Sequence, residues 1–228
     1  MASIKYSALV TGMRGKLNGS VLSTNRGGDY VRNKTTPVNP STGYQSLRRA
    51  IFGSIASAWR SLTENQAKTW VAVSKKYPYI NIWGDTKHLT GIQLHQQLNT
   101  NRSILGLAPL TLAPLPQSVA GVAGLTVVAD ESDDSIKVTA QLEGPYTGSS
   151  LVFYASAPQL QSKFFSKNIV RLIAVKPAAI SVIDITAEYK ARFGDFKEGD
   201  KIFIGAFIIA PQSGQAGVMN TVSTLVVA

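Results

Sequence analysis

Residues 12–59 read GMRGKLNGSVLSTNRGGDYVRNKTTPVNPSTGYQSLRRAIFGSIASAW, and three kinds of local structure follow one another in them. The first is a basic hairpin punctuated by glycine. Residues 20–23 and 29–32 are strand-like runs. Asn25-Arg26-Gly27-Gly28 between them is a turn signal, because glycine supplies the positive φ that tight hairpins require. The second is an extended arm over residues 33–40. Pro37 and Pro40 each remove an amide donor there and bias the preceding residue to extended geometry. The third is an amphipathic helix capped by Ser41 or Thr42. Its apolar stripe runs through Tyr44, Leu47, Ile51, Ile55, Trp59 and Leu62 at spacings of three and four, with Arg48, Arg49 and Arg60 mostly off it. A lone two-stranded ribbon is marginal in water. The hairpin is therefore expected to lean on a helix or on a neighbouring subunit.

Outward from this stretch the chain stays helical for about 50 residues. Upstream, residues 6–10 read as a short strand. Downstream, Thr63-Glu64-Asn65-Gln66 is a capping box that starts a second helix, with Ala67, Trp70, Val71, Ser74 and Tyr77 on its inner face and Pro78 at its end. Trp59 and Trp70 are the expected anchors of a small core. Residues 79–89 read as irregular or as a short hairpin. Thr90-Gly91-Ile92-Gln93 is a second capping box, opening a helix with Leu94, Leu98 and Leu105 inward that Gly106 closes. Residues 108–124 carry three prolines and almost no charge, and read as a linker.

Beyond the linker the period changes to that of short strands. Residues 125–128, 136–140, 151–155, 169–174, 180–185, 201–209 and 222–227 make seven, with turn signals between them. Residues 186–193, followed by Gly194, are either a short helical crossover or an irregular connection. Seven short strands in about 100 residues are the pattern of an immunoglobulin-like or fibronectin-type sandwich. The expected fold is α+β in two domains. Residues 1–107 form a basic arm, hairpin and helical domain, 108–124 the Pro-rich linker, and 125–228 an all-β immunoglobulin-like sandwich.

Composition narrows the function classes. Of 228 residues 44% are hydrophobic and 16% charged, which suits a globular chain rather than a disordered one. Cysteine is absent, so neither a disulfide framework nor thiolate chemistry is available. No signal peptide is read at the N-terminus, and the apolar runs are strand-length. The formal net charge of +10 is one-sided: residues 1–120 hold 14 Lys/Arg against 3 Asp/Glu, and residues 121–228 hold 9 against 10.

Candidate chemistry is sparse. His88 and His95 lack the further ligands that a zinc site needs. The run Asp130-Glu131-Ser132-Asp133-Asp134 lacks the glycine and terminal glutamate of an EF-hand loop, and reads as a solvated turn. Gly12-Met13-Arg14-Gly15-Lys16 does not match a phosphate-binding P-loop. No acid–base or nucleophile pair is legible, so no catalytic residue, cofactor or metal is assigned and the chain is read as a non-enzyme. What remains is a basic patch of Arg14, Lys16, Arg26, Arg32, Lys34, Arg48 and Arg49, interleaved with Tyr6, Tyr30 and Tyr44. Arginine beside aromatic residues suits a protein interface and also a nucleic-acid groove. The expected interface residues are Arg14, Lys16, Arg26, Tyr30, Arg32, Lys34, Arg48 and Arg49.

The pattern G-K-L-N-G-S-V, N-R-G-G-D-Y-V-R, P-V-N-P-S-T, A-W-R-S-L-T-E-N-Q-A-K-T-W and L-T-G-I-Q-L-H-Q-Q-L-N-T-N-R over the first 110 residues resembles a module of virion-associated proteins of tailed bacteriophages and prophages, crAss-like phages among them. Gly15, Arg32, Pro37, Asn39, Pro40, Gln45, Trp59, Leu62, Thr63, Gln66, Trp70, Gly91 and Asn99 carry it. The resemblance implies a structural component of the particle, as an auxiliary capsid or decoration protein or as a head–tail neck component. Capsid, portal or neck subunits would be its partners in a symmetric, multi-copy assembly, located in the virion and assembled in the host cytoplasm. A nucleic-acid-binding protein packaged with or near the genome is the alternative. A host-surface adhesion module, using loop aromatics Tyr146, Phe164 and Phe165, is the third. DNA contact stays open, and no membrane partner is expected.

Overall fold

The computed structural model describes all residues except 1, 26, 27, 37, 81–83, 145, 146, 179–181 and 228. Arg26, Pro37, Tyr146 and the start of the strand expected from residue 180 lie outside the described residues. The fold is mixed α+β, with four helices and several antiparallel sheets among the described residues. The chain divides into two compact units, Met1–Ser46 and Leu47–Ala228.

The first unit is a four-stranded antiparallel sheet in the order β1-β4-β3-β2, built from β1 (Ala2–Ser3), β2 (Gly15–Leu17), β3 (Ser20–Asn25) and β4 (Gly28–Asn33). The sequence showed β3 and β4, but neither β1 nor β2. Residues 6–10, read as a strand, are not one. The β2–β3 connection is Asn18-Gly19, with Asn18 at φ 47°. Asn-Gly is the dipeptide that a two-residue hairpin turn selects.

The boundary falls in the first turn of α1 (Gly43–Arg60), and the second unit continues with α2 (Glu64–Ser74) and α3 (Gly91–Ile104), with the hairpin β5 (Pro78–Ile80) and β6 (Thr86–His88) between these two. The Thr42 hydroxyl accepts from the Gln45 amide at 3.3 Å, at the expected start of α1. Both capping boxes are formed, Thr63 with Gln66 and Thr90 with Gln93. Trp70, Leu94 and Leu98 are the buried centre, packed by Trp59, Leu62, Val73, Tyr77, Leu89, Leu110 and Ala113. Val71, assigned to the inner face of α2, is exposed, and Val73 packs inward instead. A Cβ on Gly91 would meet the Val71 amide nitrogen at 2.9 Å. Gly91 thus packs directly on the α2 backbone at Val71 and Trp70.

Residues 108–114, read as linker, are held against the helices. The Leu110 amide donates to Asn99 Oδ1 at 2.7 Å, Trp70 Nε1 donates to the Thr111 carbonyl at 3.1 Å, and the Tyr77 hydroxyl donates to the Pro114 carbonyl at 3.0 Å. The prolines stiffen a strap rather than a hinge.

Seven strands follow: β7 (Gly121–Asp130), β8 (Ser135–Glu143), β9 (Ser150–Ala155), β10 (Arg171–Pro177), β11 (Val182–Asp184), β12 (Lys201–Ile209) and β13 (Asn220–Leu225). They form one sheet ordered β10-β9-β12-β13 and another ordered β11-β8-β7. Alternating residues from both, among them Val127, Ile136, Val138, Phe153, Ile204 and Ile208, share one core. The segment left open between helix and loop is a helix, α4 (Thr186–Phe193). Its Tyr189 is fully buried and donates to the Ser156 carbonyl at 3.0 Å. The acidic run is the β7–β8 turn, closed by Asp130 accepting from the Ser132 amide and hydroxyl at 2.9 and 2.7 Å.

The helices and the two sheets are coupled through α3 and the β12–β13 turn. Asn101 Nδ2 donates to the Gly214 carbonyl at 2.8 Å, and the Arg102 guanidinium donates to the Pro211 carbonyl. This is why the compact units part at Ser46 and Leu47 and not within 108–124. Among the described residues no helix is long and apolar enough to cross a membrane.

Candidate docking surface

Strand register sorts the N-terminal sheet into two unlike faces. Directly paired residues point to the same side, and residues two apart along a strand return to that side. Lys16 pairs with Val21, Val21 with Arg32, and Ser23 with Tyr30, so Lys16, Val21, Arg32, Ser23 and Tyr30 share one face. Gly15 pairs with Leu22, Leu22 with Val31, and Leu17 with Ser20, which puts Leu17, Leu22 and Val31 on the other. One face is basic and aromatic; its reverse carries the apolar Leu17, Leu22 and Val31 beside Ser20, Thr24, Asp29 and Asn33.

Lys16, Leu17 and Arg32 are exposed, and Val21, Leu22, Tyr30 and Val31 are half-buried. None of the described residues of 1–46 is buried, and Leu17 is 70% exposed. The sheet is pinned by its ladders and a few turns. The Ile4 amide donates to the Asp29 carbonyl at 3.0 Å, the Lys34 amide donates to the Gly19 carbonyl at 2.7 Å, and the Thr24 hydroxyl donates to the Asp29 carboxylate. Residues 1–46 carry six Lys/Arg and one Asp.

The structure thus brings Lys16, Tyr30 and Arg32 together. Arg14 and Lys34 are exposed just outside the strand ends on the same sheet. Arg26 lies outside the described residues. Arg48 and Arg49 sit on α1, beyond the unit boundary. Sequence reasoning missed Leu17, Leu22 and Val31 as a face, since β2 went unread. The Asn18-Gly19 pair was the signal that would have exposed it.

The α1 stripe is only partly used. Ile55 is buried, and Trp59 reaches the helical core, whereas Tyr44 and Leu47 are exposed. No acidic residue faces the N-terminal dipole of α1 in its first turn.

His88 is exposed. His95 is fully buried, its ring centroid 5.3 Å from that of Trp59 and 4.9 Å from that of Trp70. Neither imidazole nitrogen has a hydrogen-bond partner. Burial lowers its pKa below the ordinary 6.5, with the Leu110 backbone acting weakly in the opposite sense. Among the described residues no group of three His, Cys, Asp or Glu side chains is placed to hold a metal. Comparison with protein-family models, with curated proteins and with solved structures gives no match.

Proposed function

We propose that this chain is a non-enzymatic structural component of a tailed-bacteriophage particle, an auxiliary capsid or neck protein that docks through its N-terminal sheet. The bacteriophage assignment rests on the sequence resemblance. The docking assignment rests on one observation: a sheet with a basic face and an apolar face, and no buried residue of its own among those described. A sheet needs a hydrophobic face packed on something to persist. Ordering each backbone residue costs about 1–2 kcal/mol, and an assembly partner covering Leu17, Leu22 and Val31 offsets that. The net charge of residues 1–46 calls for an acidic partner surface. The other unit serves as the body that the arm anchors. Its strand orders, β11-β8-β7 against β10-β9-β12-β13, support the immunoglobulin- or fibronectin-type reading.

The nucleic-acid reading is favoured by Lys16 and Arg32 sharing one face with Tyr30. It ranks second because a phosphate backbone would satisfy only that face and leave the apolar reverse in water. Hydrogen exchange on the free protein and on assembled particles tests the first reading. Amides of β2–β4 exchange quickly in the free protein and slowly in the particle. Strong protection in the free monomer sinks the proposal. A DNA affinity that falls steeply with salt, as counterion release demands, would favour the second.

A further inference from the structure

At the end of the sheets opposite the turn gripped by α3, the β9–β10 connection projects three large apolar side chains. Leu160 is 81%, Phe164 85% and Phe165 64% exposed. Lysines surround them. Lys163 Nζ lies 4.7 Å from the Phe165 ring centroid, and Lys201 Nζ lies 4.9 Å from that of Phe164. Lys167 follows in the same connection, and Arg171 opens β10. No Asp or Glu occurs from residue 144 to residue 183. The acidic β7–β8 turn stands at the same end with its carboxylates engaged: Asp134 by Lys190, Asp133 by Lys137 at 3.7 Å, and Glu131 by the Glu198 amide.

We propose that the 160–167 loop is a peripheral membrane-docking tip that inserts Leu160, Phe164 and Phe165 into an anionic lipid surface. Three features select this occupant. The exposed groups are phenyl and isobutyl, with no polar handle for an oriented partner. The rim is lysine, which is depleted at protein–protein interfaces and favoured where cationic side chains meet anionic headgroups. The ammonium groups also lie over the phenyl rings, so the ring faces are not open platforms for a stacked sugar. Apolar residues beneath a lysine collar are the composition of an interfacial anchor. The expectation of no membrane partner rested on the lack of a spanning segment, which an interfacial loop does not need. One loop gives weak, reversible binding, and many copies on one particle make it avid.

The test must separate the loop from the basic N-terminal sheet, which anionic vesicles also attract. The chain has no cysteine, so full-length Phe164→Cys and Val182→Cys variants each carry one environment-sensitive fluorophore. Vesicles are phosphatidylcholine with about one-third phosphatidylglycerol, against phosphatidylcholine alone. The expected result is a blue shift at position 164, quenched by spin labels on the acyl chains, with none at exposed Val182. Phe164→Ser with Phe165→Ser lowers vesicle binding by about tenfold or more, given the apolar area withdrawn. The proposal is overturned if the vesicles bind without a shift at 164, which assigns binding to the N-terminal sheet, or if they do not bind. A shift given by an acidic protein or a polysaccharide, and not by vesicles, overturns it equally. None of these outcomes bears on whether the N-terminal sheet docks in a particle.

Discussion

The imidazole of His95 stands edge-to-face with the indole of Trp70, their planes 77° apart and their centroids at 4.9 Å. Trp59 of α1 closes the other side, and Leu110 of the strap packs on the same cluster. No charged group is paired with the ring, and Asn99, one turn along α3, leaves its own Nδ2 without a partner. The site favours a neutral imidazole, because burial outweighs the Leu110 backbone, which acts in favour of the cation. Because burial lowers the folded-state pKa below 6.5, the unfolded chain binds this proton more readily than the folded chain. The contribution of His95 is therefore complete above about pH 6.5 and is lost as the pH falls through that value toward the folded-state pKa. Urea unfolding followed by tryptophan fluorescence should show a lower midpoint at about pH 5 than at about pH 7.5. His95→Phe should flatten that difference. An equal acid loss in the variant would assign the effect elsewhere.

The strap depends on Asn99. Its Oδ1 is the acceptor for the Leu110 amide at 2.7 Å, and Asn99→Ala leaves that half-buried donor without its partner. The expected cost is about 1–3 kcal/mol. Tyr77→Phe, which removes the bond to the Pro114 carbonyl, should cost about 1 kcal/mol. Limited proteolysis supplies a local readout. Cleavage between residues 105 and 118 should be faster in Asn99→Ala than in the parent, and unchanged cleavage would show that packing of Leu110 and Ala113 alone holds the strap.

Gly214 joins the helices to the sheets. It sits at φ 72°, and a Cβ there would press on the Leu98 carbonyl oxygen of α3. An L-residue is strained in that conformation, and the added atom has no room. Gly214→Ala should destabilise by about 2–4 kcal/mol, combining the left-handed backbone penalty with overpacking. Asn101→Ala, which removes only the hydrogen bond to the Gly214 carbonyl, should cost about 1 kcal/mol. Thermal unfolding of both variants checks the order. If Gly214→Ala is as stable as the parent, the joint is softer than the packing indicates.

The sequence was legible where one local rule had no competitor. Thr63 and Thr90 found their glutamines three residues on, and both capping boxes formed. The strand expected over 201–209 is β12. The strand expected over 136–140 lies within β8. Reading failed where long-range contacts decide. Val71 and Val73 are alike by composition, and only the tertiary packing of α2 separates exposed Val71 from Val73 on the helical core. Composition made 108–124 a linker, although Trp70, Tyr77 and Asn99 bond three of its backbone groups. At the docking surface the charges were legible and the faces were not. Pairing Lys16 with Val21, and so placing it beside Arg32, requires β2, three residues long and too short to show a period.

The two faces of the N-terminal sheet separate charge from apolar contact, and substitutions can do the same. Lys16→Glu with Arg32→Glu reverses two charges on the basic face, both at exposed positions. Thermal stability of the free protein should change by less than about 0.5 kcal/mol per site. Incorporation into particles should fall, and should fall less at high salt, because screening shortens the reach of exposed charges to about 3 Å near 1 M. Leu17→Asp acts on the opposite face. Leu17 is 70% exposed, so this change also leaves the free protein folded, but it places a carboxylate where an apolar partner surface should pack. Its loss of incorporation should be independent of salt. Co-sedimentation of each variant with particles lacking the native protein reads out both effects. If the charge reversal abolishes incorporation and Leu17→Asp has no effect, only the basic face is in contact, and an anionic ligand such as the packaged genome becomes the better account of this sheet.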